Sequence, residues 1–207
     1  MEKSLNLTDE QIDALKEIGN IGGGNAATAL SQLLNKKVFV DIPRIRIMRL
    51  DKLSDIKFLG DKEDLSTAIS LRILGKLKGG MLIFYPQKCA LLMIDILRER
   101  EIGSTEVFTI EDESVLSESA HIISCSYLNA IGQFLGLYQL IPSISATSID
   151  RVEKLTRVMF SKFIKEDLHY ILPIENHLII EDIELNLVVI FLLEFESLNM
   201  VLKTIGL

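Results

Sequence analysis

The sequence predicts an α+β fold in which long helices pack on a mainly antiparallel sheet formed by two pseudo-symmetric halves. Strand-like segments occur in pairs joined by short turns, which is typical of antiparallel neighbours. Long segments with apolar residues at helical spacing flank these strand pairs. The same order of helix, strands and helix occurs twice along the chain. We therefore expect a single domain over residues 1–207 with an internal duplication, half one spanning about 7–100 and half two about 110–207.

The first helix is predicted by a capping signature and a long apolar stripe. Thr8 followed three residues later by Gln11 is a capping-box pattern. Asn35 is a suitable C-terminal stop, so we expect a helix of about 27 residues. Its predicted buried face consists of Ile12, Leu15, Ile18, Gly19, Gly22, Ala26, Ala29, Leu30 and Leu33.

The remaining elements are predicted from periodicity and from turn residues. In half one we expect strands at 38–42, 66–74 and 81–85, with a short helical turn and loop in 51–64 and a helix after Pro86. In half two we expect a helix at 110–135 that stops at Gly136, an extended segment at 137–144, a helix at 148–166, strands at 169–180 and 184–195, and a final helix at 197–205.

A shift of 101 residues aligns the two long helices. It places Asn20 opposite His121 and Asp13 opposite Ser114. Identical residues at aligned positions include the pairs Leu15 and Leu116, Glu17 and Glu118, Ile21 and Ile122, Ala29 and Ala130, and Gln32 and Gln133. Overall identity between the halves is low, so the duplication rests on these matches and on the order of elements.

Charge and residue spacing exclude several classes of function. The formal net charge is −7 and the basic residues are scattered, whereas nucleic-acid binding needs a basic surface. The two cysteines and three histidines lack the spacing of metal ligands. The glycine run has no preceding strand and no following Lys-Ser/Thr, so it does not predict a nucleotide-binding loop. We expect no nucleic-acid partner and no metal of its own.

The sequence gives no sign of a membrane segment. The N-terminus is polar and acidic, unlike a signal peptide, and the strongest apolar run, 187–193, is far too short to span a bilayer. We therefore expect a cytoplasmic protein without membrane insertion.

Four glycines lie within the predicted first helix, namely Gly19, Gly22, Gly23 and Gly24. Each glycine in a helix interior costs about 1 kcal/mol relative to alanine, so together they cost about 4 kcal/mol. We expect Gly19 and Gly22 to allow close packing on the body of the fold. Gly24 is expected to keep the opposite face low for a docking partner.

That opposite face carries a stripe of residues at helical spacing: Asp13, Glu17, Asn20, Gly24, Ala27 and Ser31. A solvated helix face usually carries long charged side chains, whereas this one has an acid and an amide followed by small residues. A carboxylate can pair with a partner's Lys or Arg. An amide can both donate to and accept from a water, and so orient it. The stripe is either a plain solvated face or a site that a partner completes.

Residues 16–36, KEIGNIGGGNAATALSQLLNK, closely resemble the phosphatase helix of the CheC family of bacterial chemotaxis, which includes CheX and FliY. The family motif is Asp or Ser, three residues, Glu, two residues, Asn, twenty-two residues, Pro. Asp13, Glu17, Asn20 and Pro43 match it at every spacing. The resemblance extends over the chain through its length and its duplicated halves.

The resemblance implies a phosphatase that acts on the phosphoaspartate of the response regulator CheY. It implies that Glu17 pairs with a regulator Lys and that Asn20 orients the attacking water. The expected Mg²⁺ belongs to the CheY active site, so the protein needs no cofactor of its own. Phosphorylated CheY is the implied partner, CheD is a further one, and we expect a monomer.

The second copy of the motif departs from the pattern. Ser114 and Glu118 are present, but His121 replaces Asn, and Pro142 falls two residues early. Cys125 and Leu128 stand where half one has Gly24 and Ala27, which is expected to hinder close approach. We therefore expect Glu118 and His121 to form a degenerate second site.

A second interpretation remains open. The chain would then be a non-catalytic regulatory module that binds phosphorylated CheY or CheD. Within the family, we expect a CheC-type protein rather than FliY, because no additional regulator-binding peptide or flagellar-switch domain accompanies the matching region.

Overall fold

The computed structural model describes residues 8–41, 43–45, 48–49, 59–137, 139–164 and 170–204. Five helices and nine strands lie within these residues. The helices are α1 (Asp9–Leu34), α2 (Gln87–Leu97), α3 (Ile110–Leu135), α4 (Val152–Ile164) and α5 (Phe195–Thr204). The strands are β1 (Val38–Val40), β2 (Arg44–Ile45), β3 (Met48–Arg49), β4 (Leu65–Leu74), β5 (Gly79–Pro86), β6 (Ile141–Pro142), β7 (Ala146–Arg151), β8 (Tyr170–Ile180) and β9 (Ile183–Leu193).

All nine strands join one sheet, and every pairing among the described residues is antiparallel. Its order is β1-β8-β9-β5-β4-β6, with β2 and β3 also pairing with β8, and β7 with β4. The central pair, β5 and β9, runs from Gly79 opposite Leu193 to Phe84 opposite Val188. With helices packed on this sheet, the predicted α+β class is confirmed.

The strand order has a symmetry of its own. It reads the same from both ends if β5 is matched with β9, β4 with β8, and β1 with β6. The two predicted halves exchange strands, because β1 pairs with β8 while β6 and β7 pair with β4. Each half therefore completes the sheet of the other. The duplication within one domain stays a prediction.

The sheet is buried on both faces. Neighbouring strand residues point to opposite sides of the sheet, so one set of side chains packs on each face. On one face, α1, α2, α3 and α5 pack against residues such as Ile69, Leu71 and Val189, which form the main core. On the other face, Val152 and Leu155 of α4 pack in a second cluster that includes Ala68, Leu82 and Ile190. The main core carries the two long helices, α1 and α3, side by side.

One predicted boundary is wrong. The helix expected at 148–166 begins only at Val152, because residues up to Arg151 form β7. That strand pairs with β4 from Leu65 opposite Arg151 to Ser70 opposite Ala146. The ladder hydrogen bonds available at the edge of β4 outweigh the weak helical pattern of this stretch. Residues 165–169 and 205, which end or begin other predicted elements, lie outside the described residues, as does most of 51–64.

Candidate active site

Local hydrogen bonds fix both ends of α1. The amide of Gln11 donates to Oγ1 of Thr8 at 3.3 Å, and the amide of Thr8 donates to Oε1 of Gln11 at 2.8 Å. At the other end Asn35 adopts a left-handed conformation with φ of 49°. The predicted capping box and stop are confirmed, so the register of the site residues along the helix is well defined.

Three of the four glycines bring α1 close to the rest of the protein. A Cβ atom on Gly19 would overlap the side chain of Ile45 and lie 3.3 Å from Cγ of Pro43. One on Gly22 would overlap the ring of Tyr127, and one on Gly23 would lie 3.2 Å from Cγ1 of Val40. The expectation that Gly19 and Gly22 permit close packing is confirmed.

The opposite face of α1 is open where the sequence pattern places the candidate site. Asp13, Glu17, Asn20 and Gly24 are all exposed, and among the described residues outside the helix's own backbone, nothing lies within 4 Å of the position a Gly24 Cβ would take. Residues three or four apart share a helix face, so these four form one continuous stripe. The predicted open space beside Gly24 is confirmed.

The stripe is shorter than predicted. Ala27 is only 7% exposed. Ser31 is half-buried, and its Oγ accepts a hydrogen bond from the amide of Val38 at 3.0 Å. The exposed part of the predicted stripe therefore runs from Asp13 to Gly24.

The side chains of Glu17 and Asn20 make no hydrogen bond or ion pair within the described part of the chain. Their neighbour Asp13 does, since its Oδ1 lies 2.8 Å from Nζ of Lys16. Glu17 thus offers an unpaired carboxylate and Asn20 an unpaired amide, separated by less than one helical turn. This arrangement suits recognition of a cation and a polar group on a partner.

Pro43 supports the same turn from below. It is buried, and its Cγ lies 3.3 Å from the position that a Cβ on Gly19, the residue before Asn20, would take. Its segment is tied to β8, because the amide of Asp41 donates to the carbonyl of His177 at 3.1 Å and Oδ2 of Asp41 lies 2.9 Å from Nδ1 of His177. The chain between Asn20 and Pro43 thus leaves α1, pairs with β8 and returns beside Gly19.

The corresponding turn of α3 is organised differently. Glu118 is exposed, but His121 is half-buried, and neither side chain makes a hydrogen bond within the described residues. Cys125 is half-buried beside them; burial, and then the negative charge of Glu118, raises the pKa of its thiol. Leu128 is fully buried. The expectation that Leu128 hinders docking is therefore wrong, since only Cys125 adds bulk to this exposed face.

Pro142 is the proline of the second copy, and Ser114 its first residue. Pro142 is buried in β6 and pairs with Ile73 of β4. Oγ of Ser114 donates to the carbonyl of Ile110 at 3.1 Å within its own helix. Neither residue therefore adds an unpaired hydrogen-bond donor to the exposed face near Glu118.

Sequence reasoning missed two residues beneath the site, Tyr127 of α3 and Asn176 of β8. The hydroxyl of Tyr127 donates to Oδ1 of Asn176, and both side chains are buried under Gly23 of α1. The signal available was a contrast within the aligned halves, because the shift of 101 residues places Tyr127 opposite the small Ala26.

Within the described residues, no group of three or more His, Cys, Asp or Glu side chains is placed to hold a metal ion. A search of the same residues finds no helix with the length and apolar character that crossing a bilayer requires.

The chain is similar to known proteins in sequence. The sequence model of the CheC-like family matches residues 10–42, which contain the whole exposed stripe. The Bacillus subtilis protein named CheY-P phosphatase CheC is 34% identical over 183 residues, covering 85% of this chain and 80% of that protein. The flagellar motor switch phosphatase FliY of the same organism is 47% identical over 49 residues, covering 24% of this chain and 13% of FliY.

A solved structure has the same fold. Thermotoga maritima FliY superposes with a TM-score of 0.74 at 18% identity, covering 97% of this chain and 98% of that one. Identity this low shows the shared fold alone, whereas the long match to the Bacillus protein shows kinship. With that match over most of both sequences, the chain belongs to the CheC-like family.

Proposed function

We propose that this protein accelerates hydrolysis of the aspartyl phosphate of a CheY-type response regulator, using Glu17 and Asn20 of α1. The observation that carries the proposal is the 34% identity, over 85% of the chain, to a protein named CheY-P phosphatase CheC. The exposed, unpaired carboxylate and amide on α1 supply the groups for such a reaction. The proposed enzyme class is a protein aspartyl-phosphate phosphatase.

Asn20 is the proposed catalytic residue that orients water. Its amide can accept a hydrogen bond from a water and donate one to a phosphoryl oxygen, which aligns the water with the phosphorus. Phosphoryl transfer needs little covalent chemistry from the protein, so positioning and electrostatics supply most of the acceleration. A side chain without an internal partner enters such a site without breaking existing bonds.

Glu17 is the proposed docking residue. Its carboxylate would pair with a lysine of the regulator, a charge-assisted contact that also fixes the angle of α1 over the phosphate. Asp13 is held by Lys16, so Glu17 is the free acid nearest Asn20 on the stripe. Gly24 leaves room for the regulator's backbone beside this contact.

The reaction as proposed takes no cofactor from this chain. Mg²⁺ would be bound in the active site of the regulator, where it neutralises the phosphate charge. The proposal therefore predicts that Mg²⁺ dependence follows the regulator and not the phosphatase.

Glu118 and His121 are proposed to form a degenerate second site. The imidazole of His121 is half-buried. Cys125 stands on α3 at the position that corresponds to Gly24 on α1, and its side chain narrows the space that the glycine leaves open in half one. We further propose a monomer in the cytoplasm, with CheD as a second partner; these points rest on family resemblance.

The degenerate second half favours one alternative, a non-catalytic module that binds phosphorylated CheY or CheD. Such a module would need an exposed docking face but no oriented water. The unpaired amide of Asn20 beside Glu17 favours the catalytic function over this alternative.

A phosphate-loss assay separates the two functions. A CheY-type regulator is phosphorylated with a small phosphodonor in Mg²⁺, and its dephosphorylation is followed with and without this protein. We expect acceleration that falls about 10²-fold in kcat for Asn20→Ala, while Glu17→Ala mainly raises KM. Asn129→Ala, which removes an exposed asparagine of α3, is the matched control and should change neither. Tight binding without acceleration would establish the alternative.

A further inference from the structure

Tyr127 of α3 lies directly beneath the turn of α1 that carries Asn20. A Cβ on Gly22 would overlap Cδ1 of its ring and lie 2.7 Å from Cε1. A Cβ on Gly23 would lie 3.3 Å from its hydroxyl. Because both residues are glycine, the helix backbone rests on the tyrosine without an intervening side chain. Tyr127 therefore sets the depth of this turn.

Tyr127 is itself held in a fixed position. It is 1% exposed, and its hydroxyl donates to Oδ1 of Asn176. The amide of Asn176 in turn donates from Nδ2 to the carbonyl of Ile174 at 2.9 Å, within β8. Phe191 of β9 packs edge-on against the ring, with centroids 6.0 Å apart and planes at 65°. A buried, hydrogen-bonded aromatic ring of this kind makes a rigid support.

The contact lies across the helix from the proposed catalytic amide. Residues two apart on an α-helix differ by about 200° in direction, so Gly22 lies nearly opposite Asn20. Any shift of α1 on Tyr127 therefore moves Asn20 towards or away from its partner by a similar distance. In reactions that depend on positioning, a 1 Å displacement costs up to about 10²-fold in rate.

We propose that Tyr127, through its contact with Gly22 and Gly23 and its hydrogen bond to Asn176, is a positioning residue that holds Asn20 at the correct height and angle. This inference rests on the proposed function. It gives half two a role in the reaction that does not depend on Glu118 or His121, because α3 supplies the support for the site on α1.

α1 provides no equivalent support for α3. Under the shift of 101 residues the counterpart of Tyr127 is Ala26, which is buried at 3% exposure. Gly22 and Gly23 likewise correspond to Ile123 and Ser124, which carry side chains. The turn with His121 thus lacks both the glycines and the tyrosine. This asymmetry agrees with a single supported site per chain.

Tyr127→Phe tests the inference, because it removes the hydroxyl and keeps the ring. We expect kcat to fall about five-fold with KM changed less than two-fold, since Glu17 still docks. In an Asn20→Gln background, which retains an amide in a displaced position, Tyr127→Phe should cause no further loss. If Tyr127→Phe acted through a general loss of stability, it would lower kcat by the same factor in the wild-type and Asn20→Gln backgrounds.

Tyr85→Phe is the matched control. Tyr85 is equally buried, and its hydroxyl lies 3.4 Å from Oγ of Ser119 on α3 instead of beneath a glycine of α1. We expect its kcat to stay within two-fold of wild type. A normal kcat for Tyr127→Phe, an equal loss in both tyrosine variants, or equal losses in both Asn20 backgrounds would overturn the inference alone. A wild-type protein without acceleration would overturn the proposed function, and the positioning role with it.

Discussion

Gly22 and Gly24 lie two residues apart on α1, yet Gly22 lies against the ring of Tyr127 and Gly24 faces open space. A methyl group at the first position would overlap the ring, and one at the second would meet no described residue within 4 Å beyond its own helix backbone. The same substitution therefore has opposite consequences for stability at these two positions. That contrast separates glycines that close packing requires from a glycine that it does not require.

Gly24→Ala is expected to stabilise the protein and to impair its activity. Alanine is favoured over glycine in a helix interior by about 1 kcal/mol, and here no clash offsets the gain. The added methyl would project into the proposed docking face, so kcat/KM should fall about ten-fold. Urea unfolding and regulator dephosphorylation measure the two effects. A variant that is more stable and fully active would show that this face is not the docking surface.

Gly22→Ala is expected to destabilise the protein by about 1–3 kcal/mol, because overpacking displaces either Tyr127 or the helix. The measurement is the urea midpoint at constant m-value. Combining it with Tyr127→Leu, which removes the ring that the methyl meets, should make the two effects less than additive. Strictly additive losses would mean that the predicted overlap is relieved elsewhere.

His121→Ala is expected to change the dephosphorylation rate less than two-fold, because His121 is half-buried and Cys125 narrows its surroundings. Asn20→Ala, at the aligned position of half one, should remove nearly all acceleration. The comparison uses initial rates at saturating regulator. Equal losses in the two variants would mean that both halves catalyse and that the one-site proposal is wrong.

The sequence predicts best what is decided locally. The capping box at Thr8 and the stops at Asn35 and Gly136 are correct because each depends on side chains or backbone angles within a few residues. The buried and exposed faces around Gly19 and Gly24 follow from helical periodicity alone. The candidate stripe could thus be found before any tertiary contact was known.

What the sequence does not predict depends on distant segments. The hydrogen bond that Ser31 accepts comes from Val38 of β1, and β1 is placed by its pairing with β8, about 140 residues away in the chain. The late start of α4, at Val152, comes from the pairing of β7 with β4. The role of Tyr127 requires a contact between two helices of different halves, and no local pattern marks it.

The junction between the halves is held by two buried carboxylates. Asp95, at the end of α2, accepts hydrogen bonds from the amides of Gly103 at 2.7 Å and Thr105 at 3.1 Å. Asp112, in the first turn of α3, lies 2.8 Å from Nη2 of Arg100 and caps the helix with Thr109. Burial alone would raise the pKa of both carboxyls. Hydrogen bonds instead lower the pKa of Asp95 below its usual value, and Arg100 together with Thr109 lowers the pKa of Asp112. The segment between the two halves is therefore bonded to α2 through Asp95 and to α3 through Asp112.

Acid is expected to loosen this junction. A carboxyl whose pKa is lower in the folded than in the unfolded state contributes stability that is complete above the unfolded pKa and is lost as the pH falls through the folded one. Unfolding free energy should thus decline below about pH 4, the ordinary range of these groups.

Asp112→Asn should be less stable than wild type by about 2 kcal/mol at pH 7, and this difference should shrink towards pH 3. Asp182→Asn, which changes an exposed carboxylate in the β8–β9 turn, is the control and should follow the wild-type curve. If the Asp112→Asn curve runs parallel to wild type down to pH 3, the buried carboxylate does not carry this acid sensitivity.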